Sequence, residues 1–291
     1  MTSPVPDVVL NNGVPMPQLG FGVFRVPDDE TERAVLTALD TGYRSIDTAS
    51  LYGNEAGVGR ALASSGLARE DLFVTTKVWN EDQGYDSTLR AFDASLGRLG
   101  LEHVDLYLIH WPKPSLGRYV ETWRALEKLY ADGRVRAIGV SNFQPDHLRR
   151  LLDETEIVPA VNQIELHPDL QQEQLRRFHA AHGVVTEAWS PLGQGLALRH
   201  PPVAELAERH GRTPAQVVLR WHLQLGNVVI PKSTTLSRIQ ENIRVFDFAL
   251  AEAEMAMLTS LDTGTRLGPD PDELDTRRRS GFSSAGGRWA P

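Results

Sequence analysis

Four side chains capable of acid–base chemistry stand at or near the ends of apolar runs between residues 47 and 110. They are Asp47 and Tyr52 in "IDTASLYGNE", Lys77 in "LFVTTKVW" and His110 in "VDLYLIHW". A tyrosine, with an ordinary pKa of about 10, is a poor proton donor at neutral pH, but a nearby ammonium favours the phenolate and lowers that pKa. Lys77 can supply that charge, and Asp47 can be the carboxylate partner that a buried lysine needs.

His110 completes a set of groups that can reduce a carbonyl. With one ring nitrogen as a donor, it can orient and polarise a carbonyl oxygen that Tyr52 then protonates. Taken singly, each residue has an ordinary alternative: Asp47 as a cap, Lys77 as a surface lysine, Tyr52 as a loop tyrosine and His110 as a hydrogen-bonded core histidine. Because all four are expected on one face of the fold, we favour the catalytic interpretation.

The elements that must position these side chains are strands alternating with helices. Short apolar, β-prone runs recur, and between them lie stretches with helical spacing that begin at capping residues and end at Gly. Their nearly continuous apolar character is typical of parallel strands buried on both faces. The runs are 19–24, 43–48, 72–79, 104–111, 135–142, 159–166, 184–190 and 227–233.

Eight such units predict an α/β fold, a (β/α)8 TIM barrel with its chemistry at the C-terminal ends of the strands. The alternative, an open doubly wound sheet, would bind a dinucleotide through G-x-G-x-x-G, and "GFGVFR", "GQGLAL" and "GVGRAL" all lack this pattern. "VVLNNGVPMPQL" predicts an N-terminal β-hairpin at the bottom of the barrel, and 250–262 predicts a further helix. We expect residues 1–291 to form one domain, with 263–291 as an irregular, partly flexible C-terminal tail.

Composition narrows the classes of function. The net charge of −8 works against affinity for nucleic acid or anionic membranes. The absence of cysteine and of an H-E-x-x-H run argues against a zinc-dependent dehydrogenase. We therefore expect no bound metal, and we expect a bound cofactor to supply any redox chemistry. With neither a signal-peptide pattern nor a run of about 18 apolar residues, we expect a cytoplasmic protein. We also expect a monomer that acts on a small-molecule carbonyl substrate.

Taken in order, the motifs resemble those of the aldo-keto reductases over nearly the whole chain. Within that family, "AVNQIELHP", "PLGQG", "TPAQVVLRWHLQ" and "ENIRVFDF" are most similar to the bacterial 2,5-diketo-D-gluconate reductases. The resemblance implies a catalytic tetrad of Asp47, Tyr52, Lys77 and His110. It also implies NADPH-dependent reduction of aldehydes or ketones, with a keto-sugar acid as a candidate substrate.

The resemblance further implies NADPH bound in an extended pose across the top of the barrel, without a Rossmann motif. Ser141, Asn142 and Gln163 would hold the carboxamide, and Trp189 would stack on the nicotinamide. The "SPLGQG" segment would pass under the pyrophosphate, where its glycines let the backbone approach closely. From this segment the expected contacts are Ser190, Leu192, Gly193, Gln194 and Gly195.

The segment "PKSTTLSRIQEN" carries a separate argument. Lys232 and Arg238 lie around a predicted helix start, whose free N–H groups and dipole attract an anion such as a 2′-phosphate; a simple cap is the alternative. We therefore expect NADPH to be preferred over NADH. With the resemblance, the 2′-phosphate ligands are Lys232, Ser233, Thr234 and Arg238, and Glu241 and Asn242 face the adenine.

Three aromatic residues, Phe24, Trp79 and Trp111, each follow a strand end and are expected to line an apolar substrate pocket, with simple packing as the alternative. The tail after Asp262 would close one wall. Because this tail extends beyond the usual end of the diketogluconate reductases, sugar acids, aldehydes, ketones and α-keto compounds all stay candidates. The competing function is a non-catalytic, NADPH-binding regulatory protein on the same barrel, against which the intact tetrad argues.

Overall fold

The computed structural model describes residues 5–274, and its centre is one curled sheet of eight parallel strands, β3 to β10, paired in chain order. A separate two-stranded sheet, β1 and β2, precedes it. Each predicted apolar run contains one strand of the eight, so the expectation of eight parallel strands is confirmed. The strands are β1 Asp7–Val9, β2 Pro15–Pro17, β3 Phe21–Gly22, β4 Ser45–Asp47, β5 Phe73–Val78, β6 Val104–Ile109, β7 Val135–Ser141, β8 Val161–Glu165, β9 Val185–Trp189 and β10 Val228–Val229.

Helices connect the strands and cover the outer face of the sheet. In α4, Tyr119, Trp123 and Leu126 are buried, as their helical spacing predicts. The predicted helix within 250–262 is present as α10. The helices are α1 Asp28–Thr41, α2 Glu55–Ser64, α3 Tyr85–Leu99, α4 Tyr119–Ala131, α5 Pro145–Glu154, α6 Glu173–Ala181, α7 Pro201–His210, α8 Pro214–Gln224, α9 Leu236–Asn242 and α10 Glu252–Thr259.

The curl of the sheet brings its two edge strands together. A parallel bridge joins Leu19 to Val229, and the Gly20 N–H donates to the Val229 carbonyl at 2.8 Å. Both edge strands are shorter than their predicted runs. Pro231 has no N–H to donate, so beyond β10 it only accepts, from the Gly22 N–H at 3.4 Å. Contacts across the interior, between side chains of strands far apart in the sheet, are therefore within reach.

The hairpin of β1 and β2 covers the amino-terminal ends of the strands, as predicted. Leu10 and Met16 are buried among interior side chains such as Phe73 and Val161, which begin β5 and β8. The Asn12 side chain donates to the Arg136 carbonyl at 2.9 Å. This end of the interior is thus closed by apolar packing.

The first part of the C-terminal tail returns to the body of the protein. The N–H groups of Thr263 and Thr265 both donate to the Asp169 carbonyl, at 3.2 and 3.0 Å. The predicted charge run "TRRRS" and the rest of 275–291 lie outside the described residues. Within residues 5–274, every helix is too short or too polar to span a bilayer.

The interior leaves no room for a side chain at Gly139 of β7. A Cβ atom there would lie 2.6 Å from the Val161 carbonyl and 2.8 Å from Leu108. We expect Gly139→Ala to lower the free energy of unfolding by about 1–3 kcal/mol, measured by urea denaturation. Gly97→Ala in α3, where nothing lies within 4 Å, is the matched control and should be neutral or slightly stabilising. Equal stability of the two variants would contradict this interior packing.

Candidate active site

A cleft of about 780 Å³ lies at the carboxyl-terminal edge of the curled sheet. Among the predicted site residues, Lys77 and Gly193 do not line it: Lys77 is buried beneath the floor, and Gly193 is buried in the loop between Leu192 and Gln194. The predicted residues that line the cleft are Phe24, Asp47, Tyr52, Trp79, His110, Trp111, Ser141, Asn142, Gln163, Trp189, Ser190, Leu192, Gln194, Gly195, Lys232, Ser233, Thr234, Arg238, Glu241 and Asn242.

A buried ion pair forms the floor of the cleft. Lys77 on β5 donates from Nζ to Asp47 Oδ1 on the adjacent strand β4 at 2.7 Å, and to the Thr48 carbonyl at 2.9 Å. Burial, the largest single effect, lowers the pKa of Lys77, but the charge of Asp47, then Tyr52, the hydrogen bond to Asp47 and Glu187 together outweigh burial and raise the pKa above its ordinary value. Lys77 is therefore a fixed cation under the cleft.

Tyr52 ends a short turn of helix, Ser50–Tyr52, directly after β4, and Gly53 follows it with a positive φ of 68°. Its ring centroid lies 5.2 Å from Lys77 Nζ. Burial raises the pKa of Tyr52 to about 12, and Lys77 opposes that rise only in part. The expectation that Lys77 brings this pKa below its ordinary value is thus wrong in net direction, because desolvation of the phenolate is the larger effect.

His110 follows β6 and faces Tyr52 with its ring edge-on. The centroid separation is 5.6 Å to Tyr52 and 5.2 Å to Trp79. Burial, and then the charge of Lys77, lower the pKa of His110 well below its ordinary value, so the imidazole is neutral at neutral pH. Phe24 lies 4.9 Å from the Tyr52 ring, so aromatic side chains surround the phenol.

Polar groups at the ends of β7 and β9 form a hydrogen-bonded shelf beside His110. Asn142 donates to the His110 carbonyl at 3.0 Å and accepts from Trp189 Nε1 at 2.8 Å. Ser141 Oγ donates to the Gln163 carbonyl at 2.8 Å. Asn142 and Ser190 have left-handed backbones, with φ of 63° and 48°, which non-glycine residues rarely adopt. Such strain is concentrated at functional sites, and here it lies at two strand ends on the cleft.

Glu187 of β9 belongs to the same network, and the sequence analysis missed it. The Gln163 amide nitrogen donates both to Asp47 Oδ2 and to Glu187 Oε2, each at 2.8 Å. Burial, and then the negative charge of Asp47, raise the pKa of Glu187 to about 8. A signal was available: Glu187 lies two residues before Trp189, so strand periodicity places both on one face.

The other end of the cleft is basic. Lys232 and Arg238 are exposed beside Ser233 and the start of α9, and burial is the main cause that lowers the pKa of Lys232. Arg25, which the sequence analysis also missed, lines the same cleft and has a left-handed φ of 59°. Glu241 accepts a hydrogen bond from the Thr213 hydroxyl. Between the two ends, the loop that contains Gln194 and Gly195 turns through positive φ values of 52° and 91°.

The tail contributes one wall of the cleft. Both carboxylate oxygens of Glu165 accept backbone hydrogen bonds from it, from Leu267 N–H at 2.7 Å and from Gly268 N–H at 2.9 Å. A Cβ at position 268 would lie 2.5 Å from the Trp189 ring, so this approach requires glycine. Leu274 then lines the cleft.

Known proteins that are similar to this chain belong to one enzyme family. A sequence model of the Aldo/keto reductase family matches residues 18–263. An aldo-keto reductase of Mycobacterium sp. (strain KMS) is 58% identical over 266 residues, which cover 91% of this chain and 96% of that protein. Glyoxal reductase of Bacillus subtilis (strain 168) is 54% identical over 274 residues, 94% of this chain and 99% of the relative. Morphine 6-dehydrogenase of Pseudomonas putida is 52% identical over 289 residues, 95% of this chain and 98% of that enzyme.

A solved structure of a relative contains the expected cofactor. The crystal structure of a Gox0644 mutant in complex with NADPH superposes with a TM-score of 0.91 at 50% identity. The match covers 94% of this chain and all of that one. The fold around the cleft is therefore one that is known to bind NADPH in a relative.

The raised pKa of Glu187 predicts a pH-dependent stability. In the unfolded chain Glu187 ionises near its ordinary pKa of 4.5, whereas in the folded chain it keeps its proton up to about pH 8. Its contribution to the free energy of unfolding is therefore fully present below pH 4.5 and is lost as the pH rises to about 8. We expect Glu187→Gln to be more stable than the wild type above about pH 8, by on the order of a few kcal/mol at most, and nearly equal at about pH 5. Urea unfolding at both pH values measures this, and a difference independent of pH would contradict it.

Proposed function

Because the chain belongs to the aldo/keto reductase family, and is an NADP-dependent oxidoreductase, we propose that it reduces aldehydes and ketones in this cleft with Asp47, Tyr52, Lys77 and His110 as the catalytic tetrad. The observation that carries the proposal is the contact of Tyr52 with both the buried Lys77–Asp47 pair and the neutral His110. We also infer a closed (β/α)8 barrel, supported by the bridge between Leu19 and Val229.

The residues along the cleft fit NADPH. Amide and hydroxyl groups at one end, from Ser141, Asn142 and Gln163, suit a carboxamide, and the flat Trp189 indole beside them suits a nicotinamide face. At the other end, Lys232 and Arg238 suit a 2′-phosphate. The cleft is continuous between these ends, and the positive φ values at Gly193, Gln194 and Gly195 mark a loop whose backbone a pyrophosphate could approach closely.

In the proposed reaction, bound NADPH supplies the hydride that the carbonyl carbon receives. Tyr52 holds the proton for the carbonyl oxygen, and its high pKa keeps that proton in place through the neutral range. Lys77 stabilises the phenolate that forms when the proton leaves, and Asp47 keeps Lys77 charged. The neutral His110 imidazole can orient the carbonyl oxygen by a hydrogen bond.

For the substrate, we propose aldehydes and ketones that carry an apolar or aromatic group. Phe24, Trp79 and Trp111 supply an aromatic wall around Tyr52. Two of the relatives are named for chemically different compounds, one for glyoxal and one for morphine, so the substrate panel includes both small dicarbonyls and larger ketones. A more specific alternative is a keto-sugar acid such as 2,5-diketo-D-gluconate, and the support for it is the resemblance of the sequence motifs.

Tyr52→Phe should reduce turnover by at least about 10²–10³-fold with every carbonyl, because the proton donor is removed, while the Kd for NADPH stays nearly unchanged. Oxidation of NADPH is followed over a panel of aromatic aldehydes, dicarbonyls, ketones and keto-sugar acids. Fluorescence titration gives the Kd. Tyr85→Phe, an exposed tyrosine on α3, is the control and should behave as the wild type. Wild-type rates for Tyr52→Phe would contradict the assignment.

Arg238→Ala should weaken NADPH binding by roughly tenfold and NADH binding much less, because NADH lacks the 2′-phosphate that the guanidinium would contact. The comparison uses Kd values for both cofactors at fixed salt. Arg244→Ala is a matched control: this arginine is exposed just after α9 and does not line the cleft. An equal loss for NADPH and NADH would rule out the proposed phosphate contact.

A further inference from the structure

Two carboxyl groups share one amide beneath the cleft. Gln163 donates one hydrogen to Asp47 Oδ2 and the other to Glu187 Oε2, each at 2.8 Å. Asp47, paired with Lys77, is a carboxylate that accepts hydrogen bonds and cannot donate them, so its contact directs the amide nitrogen of Gln163 inward. The carbonyl oxygen of Gln163 is consequently the end of its side chain that is left for the cleft, which Gln163 lines.

The two carboxyl groups differ in how far a nearby positive charge balances their negative charge. Asp47 is paired with Lys77 Nζ at 2.7 Å, whereas the charge of Lys77 is only the weakest of the effects on the pKa of Glu187, after burial, the charge of Asp47 and the hydrogen bond from Gln163. Glu187 Oε1 is buried without a hydrogen-bond partner in the same part of the chain. Ionisation of Glu187 therefore adds one uncompensated negative charge to the floor of the cleft.

We propose that Glu187 is a positioning residue that holds Gln163 for the cofactor, and that its ionised form makes the site bind NADP⁺ more tightly relative to NADPH. This inference rests on the proposed function, which places the nicotinamide over Gln163. The oxidised nicotinamide ring is positively charged and the reduced ring is neutral. A buried carboxylate beneath the ring attracts the first and is nearly indifferent to the second.

The effect belongs to a defined pH range. Four other titratable groups face this floor: Asp47, Lys77, Tyr52 and His110. The pKa of Tyr52 is about 12, that of Lys77 is raised, and that of His110 lies well below its ordinary value, so Glu187, with its pKa of about 8, changes charge between them. Binding of NADP⁺ near pH 8 should then expel a proton from Glu187, and binding of NADPH should not.

The test is the ratio of two dissociation constants as a function of pH. Both cofactors carry the same 2′-phosphate and contact the same basic groups, so the ratio Kd(NADPH)/Kd(NADP⁺) cancels the titration of that end. In the wild type we expect this ratio to rise by about tenfold between about pH 6.5 and pH 9.5, as for a pKa that falls by one unit on binding. In Glu187→Gln, which keeps the shape and cannot ionise, we expect a flat ratio.

Glu55→Gln is the matched control, since Glu55 is a buried glutamate of α2 that contacts Thr76 and Arg98 away from the cleft. It should keep the wild-type pH dependence. A flat ratio in the wild type, or the same rise in Glu187→Gln, would overturn the proposal. So would a purely structural result, in which Glu187→Gln weakens both cofactors equally while the ratio keeps its wild-type pH dependence.

A second measurement needs no variant. Calorimetric titration of the wild type near pH 7.5, in two buffers that differ in ionisation enthalpy, should show release of roughly half a proton with NADP⁺ and almost none with NADPH. Equal release with both would contradict the role of Glu187. If the nicotinamide does not lie over the tetrad, the proposed function fails, and Tyr52→Phe keeps its turnover. If only the role of Glu187 fails, turnover still depends on Tyr52 but the ratio of dissociation constants is flat.

Discussion

The ion pair between Lys77 and Asp47 is the interaction on which the site depends. An ammonium without a partner would lose its proton at this depth, and the free energy of removing both charges from water is offset only by close, well-oriented contacts. Here those contacts are Asp47 Oδ1, the Thr48 carbonyl and the Gln163 amide. The first two come from β4 and the residue after it, beside Lys77 on β5, and the third comes from β8 across the interior, so the complete set forms only when the sheet is curled.

The interior of the sheet is divided between apolar and polar layers. Near the hairpin it is filled by side chains such as Phe73, Leu108 and Val161, and toward the cleft by a hydrogen-bonded network that reaches from Lys77 to Glu187. The apolar layer helps to exclude water from the interior, and this burial shifts the pKa values of the ionisable groups in the polar layer. Because burial dominates, the phenol of Tyr52 holds its proton more tightly, and in the proposed reaction Lys77 would stabilise the phenolate as it forms rather than create it in advance.

Much of the architecture could be predicted from the sequence, since strands buried on both faces read as continuous apolar runs and polar residues mark their ends. The lengths of the edge strands β3 and β10 were overestimated, because the effect of Pro231 on their pairing depends on which strand lies beside it. Many of the cofactor contacts came from resemblance, whereas the direction of the Tyr52 pKa came from the charge of Lys77 alone. That direction was wrong because the cost of burying the phenolate depends on the folded surroundings. Glu187 was missed because it stands inside a strand rather than at its end, and its contact with Gln163 depends on side-chain reach across the interior.

The attachment of the tail has a consequence for how this enzyme can diversify. Glu165 accepts hydrogen bonds from the backbone N–H groups of Leu267 and Gly268, so no tail side chain takes part in these two bonds, although position 268 itself requires glycine. The anchorage is therefore largely indifferent to the identity of the residues that follow, such as Leu274. Under the proposed function, substitutions in this wall can change which compounds enter the cleft while the two backbone hydrogen bonds and the buried charges stay as they are.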